Sequence, residues 1–104
     1  MTAASSQEAF ASAVLDSERP VLVRFWADWC VPCHAMRPVV ERLARDYGLK
    51  LVDVNVDDAG ALASRYGIQS VPTVMLFEAG HHTRTAVGPM PRPRLTHRLG
   101  LSGR

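Results

Sequence analysis

The sequence lacks any apolar run long enough to cross a membrane, because Arg24 and Asp28 interrupt the longest one. It also has only two cysteines in 104 residues. A chain of this length can bury one hydrophobic core without disulfide staples. We therefore expect residues 1–104 to form a single domain with no membrane partner.

The N-terminal stretch MTAASSQEAF lacks both the basic residues and the apolar segment of a secretory signal. A cytoplasmic protein is therefore expected.

Acidic residues are absent after Glu78, whereas arginines continue to the C-terminus: Arg84, Arg92, Arg94, Arg98 and Arg104. The net charge of +2 is too small to indicate a nucleic-acid partner. Basic residues near a closing helix interact favourably with its C-terminal dipole and with solvent. We favour that interpretation over a site for an acidic partner.

Helix and strand patterns alternate along the chain, which predicts an α/β fold. Strands are predicted at residues 20–27, 50–56, 71–78 and 83–88, and helices at about 5–17, 33–47, 58–67 and 92–101. Ser5 and Glu8 have the spacing of a capping box at the start of the first helix. The order predicts that the early strands are parallel and the last two form an antiparallel hairpin.

The two cysteines flank Val31 and Pro32 at the predicted junction of a strand and a helix. This spacing brings two sulfurs within disulfide reach. The first sulfur lies at the helix N-terminus, where free amides and the helix dipole favour the thiolate that attacks disulfides. Cys30 is therefore the predicted nucleophile, and the deeper Cys33 would resolve the mixed disulfide. Pro32 has a fixed φ that suits the first helical turn.

A metal site and a purely structural disulfide are the alternatives to redox chemistry. Zinc needs two further ligands beside one Cys-x-x-Cys pair. The candidates are the four histidines, His34, His81, His82 and His97. A disulfide that closes so short a loop would add little stability. We favour redox chemistry and expect neither a metal nor an organic cofactor.

The segments FWADWCVPC and VPT, with Gly80 and Gly88 at their intervals, resemble the thioredoxin family over about residues 10–99. The resemblance implies a thioredoxin fold, with a central mixed sheet flanked by helices, and a protein disulfide reductase. Its partners would be disulfide-containing proteins and a thioredoxin-reductase-like electron donor. Two alternatives remain, which are a disulfide oxidase or isomerase of an oxidising compartment and a non-enzymatic protein-binding module.

The resemblance also implies roles for individual residues. Trp29 and Pro32 fall in the redox motif with the cysteines, and Pro72 matches the proline that the family holds in the cis form. The backbone of Val71 would pair with an extended substrate segment. An apolar docking surface around Cys30 is expected from Trp29, Val71, Pro72, Val87 and Gly88.

Two departures from the family pattern lie in the motif itself. Val31 replaces the usual glycine, and its β-branched side chain stiffens the loop and adds apolar surface. His34 replaces the usual lysine and is expected to be an exposed side chain of the first helical turn.

A third departure is an exchange of charges. The family carries a buried aspartate where Arg24 stands and a lysine where Asp53 stands. Arginine cannot accept the proton that this aspartate is thought to take from the second cysteine. Burying Arg24 alone would cost several kcal/mol, so we expect it to pair with Asp53 beneath the cysteines. The alternative is that Arg24 extends its charged group to solvent.

The fourth departure concerns the sheet edge. Only MTAAS precedes the first helix, which is too short and polar for the family's usual first strand. We therefore expect about four strands, with residues 51–56 at an exposed edge. Such an edge predicts a protein that is mostly monomeric and dimerises weakly through strand pairing.

Overall fold

The computed structural model describes residues 2–102, and within them strands and helices alternate as predicted. The strands are β1 (Thr2–Ala3), β2 (Val21–Trp26), β3 (Lys50–Asn55), β4 (Thr73–Glu78) and β5 (His81–Val87). The helices are α1 (Gln7–Phe10), α2 (Val31–Asp46), α3 (Gly60–Arg65) and α4 (Arg92–Arg98). A π-helical segment, Ala11–Leu15, follows α1 directly. Arg104, which we assigned to a basic C-terminal face, lies outside the described residues.

The strands form one mixed sheet in the order β1-β3-β2-β4-β5. β2 runs parallel to β3 and antiparallel to β4, and β4 and β5 form an antiparallel hairpin. The predicted α/β class and strand directions are therefore confirmed. The register places Arg24 directly opposite Asp53 on the neighbouring strand.

The expected number of strands was wrong, because β1 supplies an edge strand that the sequence pattern did not predict. Thr2 and Ala3 pair in parallel with Val52 and Asp53, and the Ala4 amide donates to the Asp53 carbonyl over 2.9 Å. Ala4 is buried in the core. This short strand is stabilised by its partner strand and by burial rather than by a local β pattern. β3 is therefore an inner strand at Val52 and Asp53.

The first helix begins one residue later than the capping box predicted. Ser6 is the N-cap, and its hydroxyl oxygen accepts from the Ala9 amide over 3.0 Å. An N-cap hydroxyl satisfies one of the free amides of the first turn, and either serine could do so by spacing alone.

The two faces of the sheet carry separate apolar clusters, because successive side chains of a strand point to opposite faces. Leu22 packs on the face covered by α2 and α4, where Val40 and Leu95 lie. Val23 packs on the other face, in the cluster that contains Phe10. Arg24, two residues after Leu22, thus points to the same face as α2. Within the described chain, no helix is long and apolar enough to cross a membrane.

Candidate redox site

The cysteines lie where β2 ends and α2 begins. They form a disulfide, with Cα atoms 5.3 Å apart. Cys30 is the N-cap of α2 in an extended conformation, and the Cys33 amide donates to its Sγ over 3.2 Å. Pro32 occupies the first turn, where no amide donor is required. The helix N-terminus thus directs an amide hydrogen at the sulfur of Cys30, an arrangement that favours a thiolate there.

Both cysteines are buried in the disulfide form. Cys33 is 0% exposed, whereas Cys30 retains 4%. Both pack with Ala27 in a small apolar cluster, against the partly buried side chains of Trp26 and Val71. Cys30 is thus the slightly more exposed of the two cysteines.

Exposed apolar side chains flank Cys30 in the sequence and lie beside the segment before β4. Within residues 2–102, Trp29, Val31 and Val87 are the large apolar residues that are exposed, by 67%, 76% and 57%. Trp29 adjoins Cys30, Val31 lies between the cysteines, and Val87 pairs with Thr73 at the start of β4. The predicted docking residues Trp29 and Val87 are thus on the surface, and Val31 is exposed as well.

A shallow groove begins at Trp29 and continues along the segment before β4. Its lining residues are Trp29, Val56, Ile68, Gln69, Ser70 and Val71. The Trp29 indole donates to Asp57 Oδ2 over 2.9 Å, which holds the ring at this groove. Sequence reasoning found Trp29 and Val71 but missed the other lining residues and Asp57. They come from loops that only the folded chain brings together.

The segment before β4 completes the site. The Val71–Pro72 peptide bond is cis, as the resemblance implied. Pro72 is buried and Val71 is half-buried. The Gly88 amide donates to the Pro72 carbonyl over 2.8 Å, so the predicted docking residues Pro72 and Gly88 are in direct contact.

Arg24 lies beneath this site and is buried with Asp53. Its Nε and Nη2 donate to the two carboxylate oxygens of Asp53, each over 2.9 Å. Its Nη1 donates to the Cys33 carbonyl over 3.1 Å. The guanidinium also lies over the Trp26 ring, 5.1 Å from the centroid. The predicted pair is therefore present, and the alternative that Arg24 reaches solvent is wrong.

His34 is exposed at the start of α2, as expected. Its Nε2 lies 2.8 Å from the Asp28 carbonyl. A carbonyl oxygen only accepts hydrogen bonds, so Nε2 carries a hydrogen. The imidazole and the Trp26 ring are nearly perpendicular, with centroids 5.8 Å apart. Across residues 2–102, no three His, Cys, Asp or Glu side chains come together in a group that could hold a metal ion.

Comparison with known proteins agrees with this geometry. The family model described as Thioredoxin matches residues 1–100. Thioredoxin 1 of Synechococcus elongatus is 44% identical over 101 residues, which cover 95% of this chain and 94% of the relative. Thioredoxin M-type, chloroplastic, of Zea mays is 46% identical over 85 residues, or 80% of this chain and 51% of the maize protein.

A solved structure has the same fold. A mutant thioredoxin from Halobacterium salinarum NRC-1 superposes with a TM-score of 0.85 at 35% identity, covering 94% of this chain and 86% of that one. The relatives and the close Cys30–Cys33 pair favour a protein disulfide reductase over the oxidase, isomerase and binding-module alternatives. The protein is a thiol–disulfide oxidoreductase, and the chain belongs to the thioredoxin family.

Proposed function

We propose that Cys30 is the nucleophile and Cys33 the resolving thiol in the reduction of protein disulfides. The observation that carries this assignment is the Cys33 amide donating to Cys30 Sγ while Cys33 itself is fully buried. The Cys30 thiolate attacks a substrate disulfide, forms a mixed disulfide and releases one substrate thiolate. Cys33, once deprotonated, attacks Cys30 Sγ and releases the second. The substrate gains two electrons, and Cys30 and Cys33 become a disulfide.

Docking of the substrate is assigned to the apolar surface around Cys30. Trp29, Val31 and Val87 are exposed there, and a partner that covers them removes apolar area from water. The backbone of Val71 would pair with an extended substrate segment beside Pro72 and Gly88. This surface fits a disulfide in an extended or locally unfolded segment, because Cys30 is nearly buried behind it.

A thioredoxin-reductase-like donor would return two electrons to the Cys30–Cys33 disulfide. We place this cycle in the cytoplasm, because reduced thiols persist in a reducing compartment. The chloroplastic relative from maize makes the plastid the competing compartment. Fractionation of source cells with an antibody against the protein tests this placement, and recovery with organelles would contradict it.

Cys30 is expected to be the only thiol that iodoacetamide modifies rapidly at neutral pH in the reduced protein. The helix N-terminus favours its thiolate, and burial shields Cys33. Peptide mass spectrometry after short labelling times measures the order of modification. The Cys33→Ser variant serves as a control that contains Cys30 alone. Faster modification of Cys33 than of Cys30 would reverse the assigned roles.

A monomer is expected in solution. β1 covers Val52 and Asp53 of β3, which shortens the exposed edge from which a weak dimer was predicted. Sedimentation velocity over a wide concentration range should give one species of monomer mass. A variant that lacks residues 2–4 uncovers this edge and should associate more strongly. Concentration-dependent dimerisation of the full chain, unchanged in the truncated variant, would contradict this account.

A further inference from the structure

Hydrogen bonds fix the position of the Arg24 guanidinium relative to Cys33. The Asp53 carboxylate covers the guanidinium edge formed by Nε and Nη2, and Nη1 extends on the other side to the Cys33 carbonyl. The cation therefore lies between its counter-ion and the first turn of α2. Arg24 is 1% exposed and Asp53 is 6% exposed, so little water screens the pair.

We propose that Arg24 is a positioning residue for the resolving step, which directs a permanent positive charge at Cys33 and stabilises its thiolate. This inference rests on the assignment of Cys33 as the resolving thiol. Asp53 and the Trp26 ring hold the guanidinium in place.

The step balances without a side-chain base. In the mixed disulfide, the Cys33 thiol gives its proton to solvent, and its sulfur attacks Cys30 Sγ. The Cys30–Cys33 bond forms, the bond from Cys30 to the substrate sulfur breaks, and the leaving thiolate takes the electron pair. Arg24 cannot take the proton, because a guanidinium donates only. The carboxylate oxygens of Asp53 are both engaged by Arg24.

The Arg24 charge is expected to speed resolution by Cys33 at neutral pH and to slow it at high pH. A nearby cation that is partly neutralised changes the ratio of thiolate to thiol by about tenfold, which corresponds to about one unit in the pKa of the thiol. A more stable thiolate is a weaker nucleophile, with a Brønsted coefficient of about 0.4–0.5. Loss of the charge should therefore slow resolution about threefold at neutral pH. It should speed resolution about threefold at high pH, where the thiolate is fully formed in both proteins.

The reduced protein mixed with excess 5,5′-dithiobis(2-nitrobenzoate) in a stopped-flow instrument tests the proposal. Attack by Cys30 releases one thionitrobenzoate, and resolution by Cys33 releases another in a phase independent of reagent concentration. The phase is measured from pH 6 to pH 10 in the parent and in the neutral pair Arg24→Gln with Asp53→Asn. When the resolution rate is plotted against pH, the midpoint of the neutral pair should lie about one pH unit above that of the parent. The two curves should also cross.

Three further variants make the test specific. Arg24→Lys keeps the charge, so its midpoint should stay close to that of the parent. Arg37→Gln removes a half-buried cation that lies over the same Trp26 ring, also 5.1 Å from the centroid, and should leave the midpoint in place. Asp53→Asn alone removes the neutralising carboxylate and should lower the midpoint. If the neutral pair does not fold, this variant tests the proposal in its place.

An unchanged midpoint in the neutral pair, or a rate lowered equally at every pH, would show that Arg24 has only a structural role and would overturn the proposal. A second phase that depends on reagent concentration in the parent would instead show that Cys33 does not resolve the mixed disulfide. That result would overturn the proposed function as well, and it is recognised before any Arg24 variant is made.

Discussion

Replacing Cys30 with serine is expected to lower kcat/KM for reduction of a protein disulfide by roughly a thousandfold or more. The chain has no cysteine besides Cys30 and Cys33, and Cys33 is fully buried. A serine hydroxyl does not replace a thiolate in attack on sulfur. Cys33→Ser should fail differently, because Cys30 still attacks and the reaction then stops at the mixed disulfide. Insulin reduction, with dithiothreitol as the electron source, measures turnover.

Intact mass spectrometry separates the two failures. Cys33→Ser should carry one substrate adduct per chain, whereas Cys30→Ser should carry almost none. The double variant with both serines supplies the background rate of dithiothreitol alone. Substantial turnover by Cys30→Ser would contradict the assigned nucleophile. Equal rates for the parent and the double variant would favour a non-enzymatic binding module.

The parts of the site that sequence reasoning found have strong local patterns. Cys30 and Cys33 are recognisable because their spacing, with Pro32 between them, matches the first turn of a helix. Arg24 is recognisable because a charge in a continuous apolar strand has a high cost of burial and requires a partner. Its partner, Asp53, followed from the family resemblance, which implies a lysine at that position on the next strand. These inferences used residues close in sequence or positions that the resemblance matches.

The parts that sequence reasoning missed depend on contacts between distant segments. β1 has two residues and no β pattern, and it forms because β3 offers free backbone groups and the core accepts Ala4. Asp57 contacts Trp29 across a loop that follows β3. Neither contact leaves a period or motif in the sequence. Local propensity is overridden by tertiary pairing in such cases.

The second large effect concerns stability. Arg24→Met alone is expected to lower the free energy of unfolding by about 3–5 kcal/mol, because it leaves the Asp53 carboxylate buried without its counter-ion. In a domain of this size, such a loss lowers Tm by more than about 10 °C. Arg24→Met combined with Asp53→Leu should recover most of the loss, because an apolar pair of similar volume has no desolvation cost. Urea unfolding of the parent, Arg24→Met, Asp53→Leu and the double variant gives the coupling energy between the two positions.

The chain offers a matched control for burial. Arg92 and Asp46 form an ion pair with the same 2.9 Å separation as Arg24 and Asp53, but their side chains are 40% and 52% exposed. Water screens that pair, so Arg92→Met should cost less than about 1 kcal/mol. The two pairs contain the same residue types at the same distance. They differ in their exposure to solvent and in the further contacts that Arg24 makes with the Cys33 carbonyl and the Trp26 ring. Equal losses for Arg24→Met and Arg92→Met would show that the stability of this fold does not depend on the buried pair, because burial would then have no measurable effect.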